Sequence, residues 1–71
     1  MKNFMKELRI HTLIGDIQQC GVDGMNKKGI QEQLAQQYVN PDSDITMNEF
    51  GNILDREYAK VEAWRASRKA N

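Results

Sequence analysis

Two turn-dense stretches, Gly21-Val22-Asp23-Gly24 and Asn40-Pro41-Asp42-Ser43-Asp44, cut this chain into three segments, each of helical length and each patterned as a helix. Pro41 disfavours helical geometry at Asn40 and so ends the middle segment there. That segment, from about Lys27 to Val39, repeats Ile30, Leu34 and Tyr38 at four-residue spacing, with glutamines and Glu32 on its other faces. The third segment opens with Thr46 and Glu49, the spacing of a capping box, in which hydroxyl and carboxylate satisfy backbone donors that a first helical turn leaves unpaired. Phe50, Leu54, Tyr58, Val61 and Trp64 follow in steps of three and four, which predicts one buried stripe with Trp64 as its last core residue. Gly51, which weakens this helix by about 1 kcal/mol relative to alanine, suggests a close approach by another backbone.

The first segment behaves differently. At roughly 100° per residue, its apolar side chains fall on two opposed faces, changing sides near Arg9. Met1, Phe4, Met5 and Leu8 form one group, and Ile10, Leu13, Ile14, Ile17 and Cys20 the other. One three-helix core absorbs only one of them. Either the helix breaks near Arg9 to His11, or it lies sandwiched between the other two, or the Phe4 and Leu8 face meets another molecule. A short strand through Leu8, Ile10 and Thr12 would also alternate correctly, but no second strand is evident to pair with it.

Seventy-one residues allow a single domain, 1–71. The expected fold is all-α, a compact three-helix domain with a long C-terminal helix. Ten Lys and Arg balance ten Asp and Glu, so bulk attraction to nucleic acid or anionic lipid is absent and binding of either kind would need a local patch. No apolar run approaches a membrane span or the core of a signal peptide. A lone cysteine makes no internal bridge, which suits a reducing compartment, and the expectation is a cytoplasmic protein. A chain this short, without disulfides, gains from a metal, a partner or self-association.

The chemistry-bearing residues give little to a metal, a cofactor or a reaction. His11 and Cys20 are nine residues apart on a helix, too far to share a zinc ion without distant carboxylates; a surface histidine and a buried thiol are expected instead. Asn40, Asp42 and Asp44 superficially resemble the start of an EF-hand calcium loop, but its sixth position is Ile45 and its twelfth Gly51, where glycine and a bidentate Glu are needed. Gly21 to Gly24 lacks the lysine or third glycine of a phosphate-cradling loop and reads as a helix-ending turn. No nucleophile signature is present, so the chain is not expected to be an enzyme.

Residues Ile30 to Tyr38 resemble the first helix of a helix-turn-helix, with Ala35 as the small residue that admits a crossing helix. The resemblance implies a DNA-binding transcriptional regulator in which Asn48 and Asn52 would read bases. Against it, the Asn40 to Asp44 turn is long and acidic, and Glu49, Asp55 and Glu57 oppose the field of DNA. The apolar surplus in the first segment favours another function: a small accessory protein that acts as a regulator, inhibitor or adaptor by occupying a partner surface, the partner being another protein or a second copy in a dimer. Its expected contacts are Phe4, Met5 and Leu8, joined by Arg65 and Arg68 near the end of the third helix, where cations also suit the helix dipole.

Overall fold

The computed structural model describes residues 2–69, with side chains described from Phe4 to Lys69. Three helices follow one another, α1 (Lys2–Val22), α2 (Lys27–Tyr38) and α3 (Met47–Lys69). The fold is all-α with a long C-terminal helix, as the periodicity predicts. α1 runs unbroken through Arg9 to His11, so neither a break nor a strand forms there. No described helix is long and apolar enough to cross a membrane.

Each helix boundary follows from its neighbours in sequence. Gly24, at φ 94°, takes the left-handed conformation that glycine tolerates, and the Met25 N–H donates to Cys20 O while the Gly24 N–H donates to Gly21 O, at 3.1 Å each. This pair of bonds is a Schellman motif. Asn26 then caps α2 by accepting from the Gly29 N–H at 2.8 Å, and Thr46 and Glu49 exchange the two bonds of the expected capping box at 3.0 and 3.1 Å. The residue before each cap, partly buried Met25 or buried Ile45, packs in the same core as the residue four positions after the cap, Ile30 or Phe50. Both are hydrophobic staples that direct the chain into its helix.

Contacts between distant residues set the topology. Lys6 pairs with Glu49, Gln18 with Glu57 and Arg65 with the carbonyl of Gly21, so α1 and α3 run side by side in the same direction. α2 returns in the opposite direction against both, tied to α1 where the Tyr38 hydroxyl donates to Asp16 and to α3 by the Lys27–Asp55 ion pair. At 12 residues it spans about 18 Å, against about 32 Å for the 21 residues of α1. The segment 39–46 covers the remaining length. There the Asn40 and Ser43 side chains satisfy backbone groups, and Ile45 plugs the core at 2% exposure.

The core takes Leu13, Ile17 and Cys20 from α1, Ile30, Leu34 and Tyr38 from α2, and Phe50, Ile53, Leu54, Tyr58 and Val61 from α3. The close approach of two helices expected at Gly51 occurs elsewhere. A Cβ built on Gly51 would meet nothing within 4 Å, whereas one on Gly21 would lie 2.6 Å from both methyls of Val61. Gly21 sits inside the last turn of α1, and its missing side chain is what lets α3 press against it.

Gly21→Ala is therefore expected to destabilise the protein by about 1–3 kcal/mol through overpacking. Gly51→Ala should instead stabilise by up to about 1 kcal/mol through helix propensity. Urea unfolding of both variants checks the assignment, and Val61→Ala should relieve part of the Gly21→Ala loss.

Candidate functional site

The helical wheel of α1 places Leu13 and Ile17 at its core-facing centre and Phe4, Leu8 and Met5 on the opposite side. Leu13 and Ile17 are fully buried, whereas Phe4 is 63% exposed, Met5 56% and Leu8 47%. The three form an apolar face along two turns of helix that no part of the described chain covers. Two ion pairs hold this end of α1 in place: Lys6 to Glu49 at 2.8 Å and Arg9 to Asp44 at 3.2 Å. Met47, on the first turn of α3, is also exposed at this end of the molecule. Met1, grouped with Phe4 by the sequence pattern, lies outside the described residues.

Arg65 and Arg68 are not brought together with that face. Gly21, which Arg65 contacts, is 17 residues beyond Phe4 on α1, roughly 26 Å along the helix. The Arg65 guanidinium is engaged within the fold, Nη2 donating to the carbonyls of Gly21 at 2.6 Å and Met25 at 2.9 Å, and Nη1 to the Tyr58 hydroxyl at 3.0 Å. It clamps the C-terminal turn of α1 onto α3. Arg68 is exposed and stacks over the Trp64 ring at 4.8 Å. Trp64 itself departs from the sequence expectation of a core residue, since it is 41% exposed. Its stripe does continue that of Val61, but α1 ends at Val22, so among the described residues no helix packs over the last turn of α3.

Glu57, expected on an exposed helix surface, is buried at 1% exposure. Gln18, Arg56 and Lys60 donate to its carboxylate at 3.1, 3.3 and 3.2 Å. Burial alone would raise its pKa, but these donors, with Lys60 foremost, hold it below the usual carboxylate range. Glu49 is held down to about 2, first by its bond to Lys6 and then by the Thr46 backbone. The phenol of Tyr38 is pushed up to about 12 by burial and by its bond to Asp16.

His11 is exposed and Cys20 buried, where desolvation and then the carboxylates of Asp16 and Asp23 push the thiol up and keep it protonated. Among the described residues no three His, Cys, Asp or Glu side chains gather to hold a metal ion. Asn48 and Asn52 are exposed on α3. The chain matches no protein-family model, no curated protein sequence and no solved structure in comparisons with each.

Both depressed carboxylates stabilise the fold fully above their unfolded value of 4.5 and lose that contribution as pH falls through their lower folded values. Unfolding free energy is therefore expected to hold down to that pH and then drop, and Glu49→Gln with Glu57→Gln should flatten the drop. Arg65→Met, which frees two carbonyls and the Tyr58 hydroxyl, should lower stability by about 1.5–3 kcal/mol in the same assay.

Proposed function

We propose that this protein is a small, non-enzymatic regulator, inhibitor or adaptor of the cytoplasm, which works by laying the outer face of α1 on a protein surface. The observation that carries the reading is the exposure of Phe4, Met5 and Leu8 on an unbroken helix whose opposite side already fills the core. Apolar side chains contiguous on a rigid helix, with ion pairs at their margin, match the apolar centre and polar rim of a binding surface. The flexible thioethers of Met5 and Met47 suit a partner of irregular shape. The partner is another protein or a second copy of this chain, with helix packed in groove or helix on helix.

The DNA-binding alternative has less support. The α2–α3 connection spans 39–46, longer than a helix-turn-helix allows, and exposed Asp42 and Asp44 stand just before α3.

Phe4→Asp with Leu8→Asp is the test. Both positions are exposed, so circular dichroism and thermal unfolding should stay near wild type while self-association by analytical ultracentrifugation, or binding to an isolated partner, is lost. Global unfolding of the double variant would assign these residues to the core instead. Salt-sensitive binding to mixed-sequence duplex DNA, unchanged by the same substitutions, would favour the alternative.

A further inference from the structure

We infer that the overhanging end of α3 is a second docking surface, which takes an acidic peptide segment carrying an apolar anchor residue. Phe50, Leu54, Tyr58 and Val61 are all buried, and the stripe emerges into solvent at Trp64 where α1 has ended. Val22, the last residue of α1, is 55% exposed beside it. Val22, Val61 and Trp64 wall a cleft of about 250 Å³ with Gln18 and Lys60 at its edge. A second, shallower cleft on Trp64 is bordered by Arg65, Arg68 and Lys69.

Charge identifies the occupant. Residues 60–69 hold four cations, Lys60, Arg65, Arg68 and Lys69, and one acid, Glu62; the rest of the chain holds six cations and nine acids. Glu62 is two residues from Trp64, about 200° around the helix, and so faces away. No acidic side chain lines either cleft. Lys60 is paired with Glu57 and Arg65 with carbonyls, but among the described residues no carboxylate pairs with Arg68 or Lys69. Arg68 is exposed with its guanidinium over the indole, 4.8 Å from the ring centroid, and a guanidinium stacked by its face keeps its N–H donors for a carboxylate. The apolar walls call for an aliphatic or aromatic side chain, and the cationic border for Glu or Asp beside it. A nucleic-acid duplex fits less well, because it would extend from this small patch onto a chain that is acidic elsewhere.

Trp64 is the sole tryptophan, so its emission reports on this surface directly. The full chain is titrated with a synthetic amphipathic peptide of roughly 15 residues, leucines on one face and glutamates on the other, and with its lysine-for-glutamate counterpart. The expected result is a saturable blue shift with the acidic peptide alone, weakening about tenfold between about 50 and about 300 mM salt. Arg68→Glu with Lys69→Glu should weaken binding at least tenfold with helical content unchanged, and Arg68→Gln should show a smaller loss in the same direction. Phe4→Asp with Leu8→Asp should leave it intact, which separates this surface from the α1 face. An unshifted emission with no binding heat, equal binding of the lysine peptide, undiminished binding by the Arg68 variants, or a response to single-stranded DNA and not to the peptide would each overturn the proposal.

Discussion

The seam between α1 and α3 is the contact on which the remaining architecture depends. Gly21 lets Val61 come within a distance that any side chain would forbid, and Arg65 reaches across one turn later to bind the carbonyls of Gly21 and Met25. Those carbonyls belong to the turn that ends α1 and starts α2, so a single guanidinium ties the helix seam, the Schellman turn and the buried Tyr58 hydroxyl together. At the far end Lys6 and Glu49 make a weaker, solvated counterpart. Between them Gln18 and Glu57 span the seam. The pairing of a buried carboxylate with three donors explains why a charge is tolerated inside so small a domain.

Local chemistry made the helices legible. Thr46 and Glu49 announce a helix start, Pro41 an end, and the spacing of Ile30, Leu34 and Tyr38 a buried face, each from residues within a few positions of one another. The staples Met25 with Ile30 and Ile45 with Phe50 obey an equally local rule, so an isolated apolar residue just before a cap could have been read as core. The surplus on α1 was readable too, because it follows from angular spacing alone.

What escaped the sequence depends on which element stands opposite. Periodicity gives the direction in which Trp64 points, but its exposure is decided by the length of α1, a property of another segment. The same reason separates Gly51 from Gly21: both weaken a helix, and only the packing of α3 shows which one admits a neighbour. Glu57 shares a helix with its donors Arg56 and Lys60, yet its burial needs Gln18, 39 residues away. The candidate contacts divide likewise, with Phe4, Met5 and Leu8 on one free face, while Arg65 serves the fold and Arg68 stands apart from them.

The parallel course of α1 and α3 also bears on how the molecule is made. Two neighbouring helices joined by a short turn can zip together as each emerges, but the Gly21 to Arg65 clamp joins residues 44 apart. Closing it carries the loop entropy of the intervening chain, a cost that contacts between neighbouring helices do not meet. During synthesis α1 emerges from the ribosome before α3 does, with Leu13 and Ile17 lacking the helix that will shelter them. The nascent chain thus carries grease on both sides of its first helix until α3 packs against it, and that interval is when it is most exposed to aggregation or to capture by a chaperone.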